Sequence, residues 1–218
     1  MTNTENFSSR RNAIQQLALA TAGLSFFSLA SCNEKTTTEI IKPEGKSLSP
    51  FYLPPSAPLQ PGPGGIAIRT LIRSSQTNMQ FSSVEAAVAA KQMGPAPHLH
   101  KELDEIMLVL EGTATVMVAG KVEEILAGGW HLRPRGIEHT FWNSADTPLR
   151  FIDMYFNQNF EDFLEELFHK IIPEMVQNKL TPADPAIAKR MADLDTKFGI
   201  TTFPEKRQAI IEQYGLKG

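Results

Sequence analysis

Two histidines one residue apart, His98 and His100, constrain this 218-residue chain more than any other feature. On an extended strand, residues i and i+2 project from the same face, so the pair forms a two-imidazole claw. Pro97 keeps Ala96 out of the helical region, which makes the approach to His98 extended. The polar stretch Lys101 to Asp104 then suits a short turn. Glu105 opens the run Ile106 to Leu110, which reads as a buried strand ending before Gly112. If that strand pairs with the one bearing the histidines, Glu105 returns to their level. Further on, Pro134-Arg135-Gly136 has the composition of a tight turn, and His139 begins another strand running to Asn143.

Three imidazoles and one carboxylate make an N3O donor set suited to a first-row divalent metal: Mn, Fe, Co, Ni, Cu or Zn. Four protein ligands on an octahedral ion leave two positions for water, dioxygen or substrate, as a catalytic site requires and a closed structural site does not. Cys32 is the only cysteine, so Fe–S clusters and thiolate zinc sites are disfavoured. A lone histidine in a strand is more often packed or solvated than a ligand. Here the His-x-His pair, the glutamate, the glycines and the third histidine occur together.

In that combination the two segments resemble the paired motifs of the cupin superfamily. The second motif, G-x5-P-x-G-x2-H-x3-N, is met in full by Gly128, Pro134, Gly136, His139 and Asn143. The first, G-x5-H-x-H-x3,4-E-x6-G, is met by His98, His100, Glu105 and Gly112, with Gly94 nearer to His98 than the pattern asks. The resemblance implies that His98, His100, Glu105 and His139 are metal ligands in a single double-stranded β-helix, or jelly-roll, barrel over residues 64–157. It is similar to single-domain bacterial quercetin 2,3-dioxygenase-like cupins, including the wording of the helix that follows the last strand. In those enzymes the matching glutamate is also thought to act as a base, which would make Glu105 catalytic. The superfamily also holds isomerases, decarboxylases and non-catalytic binders, so fold alone does not choose the chemistry.

Alternation along the strands nominates the residues sharing the barrel interior with the ligands. Met107 and Val109 follow Glu105 inward, Phe141 and Asn143 follow His139, and Thr115 and Met117 join from the hairpin strand. Such a lining is apolar and suits an aromatic or otherwise apolar small molecule better than a sugar. His131 and His169 read as structural or surface residues.

The N-terminus reads as an address. Ser9-Arg10-Arg11 resembles a twin-arginine export motif, an uncharged stretch follows to Ser31, and Leu29-Ala30-Ser31-Cys32 resembles a lipobox. Residues 1–31 are then a signal peptide, and Cys32 is lipidated. The protein would be a membrane-anchored lipoprotein of the bacterial periplasm or outer membrane. Residues 32–63, with Pro54, Pro55, Pro58, Pro61 and Pro63, form an extended tether in which Phe51-Tyr52-Leu53 is apolar enough to dock on the barrel or a neighbour.

After the barrel, residues 158–218 switch to helical period. Phe160, Phe163, Leu164, Leu167, Phe168, Ile171 and Ile172 form one apolar face. Asp184-Pro185 starts a helix that Gly199 stops, and a last helix runs from Pro204 to Tyr214. The helices serve as a packing layer over one barrel face, with a lid or a homodimer contact as the functional alternative. A net charge of −3 without a basic stripe excludes nucleic acid as an expected partner. Two functions stand at this stage. One is a metal-dependent dioxygenase for an apolar or phenolic compound, and the other is a non-catalytic binder or sensor of a small molecule.

Overall fold

The computed structural model describes residues 47–218. The expected export signal, residues 1–31, and Cys32 lie outside the described residues. Among the described residues eleven strands occur in chain order: β1 Ile66–Ile72, β2 Phe81–Val88, β3 Gln92–Met93, β4 His98–His100, β5 Asp104–Glu111, β6 Thr113–Val118, β7 Lys121–Leu126, β8 Trp130–Arg133, β9 His139–Asn143, β10 Leu149–Phe156 and β11 Ile200–Thr202. They build two antiparallel sheets. One has the order β1-β2-β10-β5-β8. The other has the order β11-β4-β9-β6-β7, with β3 also paired to β9. Consecutive strands therefore alternate between sheets in places, as a jelly roll demands.

The crossing from β5 to β6 shows how this is done. Gly112 sits at φ +79 between strands of different sheets, and a Cβ there would come within 2.7 Å of the Pro148 carbonyl oxygen. Only glycine accepts both the backbone angle and the close approach.

The strands bury alternate residues toward the space between the sheets. Met107 and Val109 on β5 and Leu149, Phe151, Asp153 and Tyr155 on β10 are all buried. From β6 the inward residues are Ala114, Val116 and Val118. Thr115 and Met117 lie on the other face, which corrects the expected lining. Met117 packs against Met93, Trp142, Ile210 and Leu216, outside the barrel, and Thr115 hydrogen-bonds the Ser144 hydroxyl at 2.9 Å. Register explains the inversion. Val116 pairs with Phe141 and Val118 with His139, so the inward residues of β6 are those beside the inward residues of β9.

The helical extension comprises α1 Phe160–Glu166, a π-helical turn Leu167–Ile171, α2 Ile172–Asn178, α3 Pro185–Phe198 and α4 Arg207–Tyr214. The sequence period suggests one unbroken helix from Phe160 to Ile172, and the π turn interrupts it. Pro173 accounts for this: it has no N–H to donate and its ring crowds the carbonyl four residues back, which a wider turn relieves. Phe160, Leu164, Ile171, Ile187, Leu194 and Phe198 extend the barrel core into this layer. Helix α4 covers the opposite sheet, with Tyr214 over Trp142 at 4.7 Å between ring centroids. In the stretch before β1, part of the expected tether, the Leu59 amide donates to Glu85 and the Ala57 carbonyl accepts from Arg69. Phe51, Tyr52 and Leu53, apolar enough to dock on the barrel or a neighbour, are exposed and do not dock on the barrel. Among the described residues no helix is long and apolar enough to cross a membrane.

Candidate metal centre

His98 and His100 project together from β4, which β9 borders on one side and β11 on the other. His139 lies directly across from His98 in the β4–β9 register. Glu105 arrives differently from the sequence expectation. Its strand, β5, belongs to the other sheet and pairs with β10 and β8, not with β4. The turn at 101–103 carries the chain across the barrel, so the carboxylate faces the imidazoles from the opposite wall. One ligand atom from each of the four residues lies within 4.8 Å of all the others.

The hydrogen bonding around the cluster is lopsided. His98 Nδ1 and His139 Nδ1 each lie 2.9 Å from the backbone carbonyl oxygen two residues earlier, Ala96 and Ile137. With the proton committed there, each ring keeps an Nε2 lone pair free, the arrangement by which outer partners prepare a metal-binding imidazole. His100 Nδ1 is buried without a hydrogen-bond partner, and the Nε2 atoms of His100 and His139 are buried with Glu105 Oε1 nearby but no well-aligned hydrogen bond. Polar atoms of this kind are rarely orphaned in a folded interior unless something else satisfies them. The ring centroids lie 4.5 to 5.4 Å apart. Burial, reinforced by the neighbouring His139 and His100, pushes His98 down to about 3, so it offers a lone pair and not a positive charge at neutral pH. The donor set, its burial and its orphaned nitrogens fit a divalent transition metal.

Glu105 has one oxygen on each side. Oε1 stands 2.5 Å from His100 Nε2 and 3.4 Å from His139 Nε2, while Oε2 stands 2.8 Å from Arg133 Nη2. Burial alone would raise its pKa, but the Arg133 guanidinium and the two histidines outweigh burial and hold the carboxyl well below the usual range. Arg133 also contacts Asp153 Oδ1 at 2.6 Å, and the Tyr155 hydroxyl donates to Asp153 Oδ2 at 3.2 Å. Burial pushes Asp153 up to about 6.

Arg133 and Asp153 carry no signal in the sequence motifs. Alternation on β8 contains the clue, read against polarity: Trp130 and Leu132 are exposed, while His131 and Arg133 face inward, registered opposite Met107 and Glu105. His131 is thus half-buried on the inner face, not a surface residue.

The remaining expected lining residues divide. Met107 and Val109 are fully buried core, and Phe141 meets Phe151 edge-on at 5.1 Å with Arg133 above it. Asn143 does not offer its amide to a pocket. Its Nδ2 donates to the carbonyls of Ala89 and Thr147 at 2.9 and 2.8 Å, and its Oδ1 accepts from the Ala145 amide at 3.0 Å. Its hydrogen-bonding capacity is used in closing the loop after β9. Phe160, from α1, packs edge-on against His100 at 5.0 Å, a contact the sequence did not indicate. Two surface cavities, of about 480 and 560 Å³, lie on the helical side and contain none of the four candidate ligands; His169 lines both.

Residues 84–155 match the sequence model of a family described as a cupin domain. With the sheet topology, this identifies the fold as a cupin-like jelly roll with C-terminal helices. No curated protein matches the sequence significantly. Similar solved structures include KdgF from Halomonas sp., at 18% identity and TM-score 0.40, covering 45% of this chain and 84% of that one. An uncharacterized conserved protein with a double-stranded beta-helix domain from Klebsiella pneumoniae aligns at 21% identity and TM-score 0.40, covering 45% and 83%. The polyketide cyclase RemF from Streptomyces resistomycificus aligns at 27% identity and TM-score 0.39, covering 45% and 70%.

Proposed function

We propose that this chain is a metal-dependent cupin oxidoreductase, dioxygenase-like, acting on an apolar or phenolic small molecule. His98, His100, Glu105 and His139 would hold one divalent ion. The observation that carries the reading is the convergence of four donor atoms within 4.8 Å, with the Nε2 atoms of His100 and His139 buried and facing Glu105 Oε1. A divalent ion held there supplies Lewis acidity toward a substrate oxygen and, if redox-active, the means to use dioxygen as oxidant.

The chain's own residues define the rest. His98 is the most exposed of the four ligands, so substrate would approach from its side, beside Thr202 of β11. Phe141, partly buried beside the ligands, would provide an apolar wall, with Met107 and Val109 packed behind it in the core. Glu105 serves as ligand in preference to base. To take a proton it would have to loosen from the ion, and the Arg133 contact on Oε2 favours its ionised form. Oxygen uptake by the metal-loaded chain with a panel of flavonols and catechols tests the reading. No uptake with any of them refutes the dioxygenase assignment.

A second reading, a non-catalytic small-molecule binder, draws support from the lipobox-like sequence at Cys32 and the Pro-rich stretch after it, since a tethered domain suits capture of a ligand. A compound bound tightly and recovered unchanged supports it, and turnover of that compound refutes it. We also infer from the sequence that Cys32 anchors the protein at the cell envelope. An acylated mature N-terminus in mass spectrometry, lost in Cys32→Ser, is the expected result.

A further inference from the structure

Glu105, Arg133, Asp153 and Tyr155 occupy three adjacent strands of one sheet. Glu105 on β5 is registered against Arg133 on β8 at one side and Tyr155 on β10 at the other. All four are buried, Arg133 to 1% exposure. A guanidinium inside a barrel is costly to desolvate, and one arginine between two carboxylates does not neutralise both. A bland packing role would be better filled by an apolar side chain of similar volume. The contacts suggest a more specific role.

Arg133 Nη2 lies 2.8 Å from Glu105 Oε2, while Oε1 stands toward His100 and His139. The same nitrogen is held from behind by Asp153 Oδ1 at 2.6 Å, and Asp153 in turn accepts from the Tyr155 hydroxyl. The guanidinium also lies 5.9 Å from the Phe141 ring centroid, which limits its travel on that side. We infer that Arg133 is a positioning residue of the metal centre: it captures one oxygen of Glu105, so that the carboxylate presents a single oxygen to the ion and does not swing away. Asp153 and Tyr155 hold Arg133 in place for this task. Without the guanidinium the carboxylate is free to rotate and offer both oxygens, or to leave. The inference rests on the metal reading of the four-residue cluster and extends it to three residues outside that cluster.

The test is a Co²⁺ titration of the full chain, followed by visible absorption, which responds to coordination number and ligand type. Arg133→Lys keeps the charge and loses the planar fork and its reach. It is expected to weaken Co²⁺ binding by about 10-fold, the size typical when a group that orients a ligand is lost, and to change the cobalt spectrum. In a Glu105→Ala background the same substitution is expected to leave affinity unchanged, because no carboxylate remains to be positioned. An equal loss in both backgrounds, or an unaltered spectrum and affinity in Arg133→Lys, overturns the inference. If Arg133→Lys fails to fold, Arg133→Gln, neutral and of similar length, is subjected to the same two measurements and the same criteria. Failure of the parent chain to bind Co²⁺ overturns the proposed metal centre itself. Tight parental binding with indifferent Arg133 variants overturns only the role of Arg133.

Discussion

Asn143 stands in a cupin motif position but spends its side chain on the loop that follows β9, and replacing it tests that reading. Asn143 is fully buried. Three of its hydrogen bonds are well formed, at 2.8, 2.9 and 3.0 Å, while a fourth, to the Val88 carbonyl, is long at 3.4 Å and adds little. At about 1 kcal/mol net for each good bond, Asn143→Ala is expected to cost about 3 kcal/mol. For a chain of this size that is a fall in Tm of about 6–12 °C. Asn143→Asp sharpens the test. The substitute keeps an oxygen to accept from Ala145, but its second oxygen faces carbonyl oxygens and its charge is buried. Its folded pKa is therefore raised above the unfolded value, so the penalty is present at neutral pH and fades as the carboxyl protonates. Asn143→Asp should be less stable than Asn143→Ala at neutral pH, with the gap closing on acidification. Thermal and urea denaturation across pH measure this, alongside metal content, which should persist in folded Asn143→Ala. A parental Tm in Asn143→Ala, or two variants that track each other at every pH, refutes the loop-clamp account.

Gly94, which departs from the motif spacing, approaches β9 so closely that an added Cβ would collide with the Phe141 carbonyl oxygen. Gly94→Ala should therefore cost about 1–3 kcal/mol in urea denaturation, more than Gly120→Ala, where the added carbon meets nothing within 4 Å and only the backbone angle is unfavourable. Equal losses would show that the close approach is relieved cheaply. Glu85 resists the upward pull of burial through Arg69 and Arg150, which hold its pKa below the ordinary carboxylate value. Its contribution is present above the unfolded pKa and is lost as pH falls through the folded one. Glu85→Gln should flatten the acid limb of the stability profile, and an unchanged acid limb would contradict the pairing.

The strand run from Ile66 to Phe156 and the helices after it were legible because alternation and helical period are local properties. Asp184-Pro185 and Gly199 marked one helix at both ends. The four candidate ligands were legible because their spacing follows from i, i+2 geometry and a named pair of motifs. The wall from which Glu105 enters was not, since strand pairing is decided by the crossing at 101–103 and not by the pattern within β5. Thr115 and Met117 were assigned to the wrong face because every residue of β6 suits a strand, leaving register with β9 to decide. Arg133 was hidden by the reversed polarity of β8, where Trp130 and Leu132 face out so that charge can face in. The three-residue strand β11, which borders the histidine strand, is too short to carry a periodic signal.

The central claim is that His98, His100, Glu105 and His139 hold a metal. Elemental mass spectrometry of the full chain, purified without chelator or affinity nickel, tests it most directly, with His98→Ala/His139→Ala as the control. The account predicts a near-stoichiometric first-row divalent metal in the parent and its loss in the control. A parent chain that remains metal-free after incubation with each of Mn, Fe, Co, Ni, Cu and Zn would contradict it.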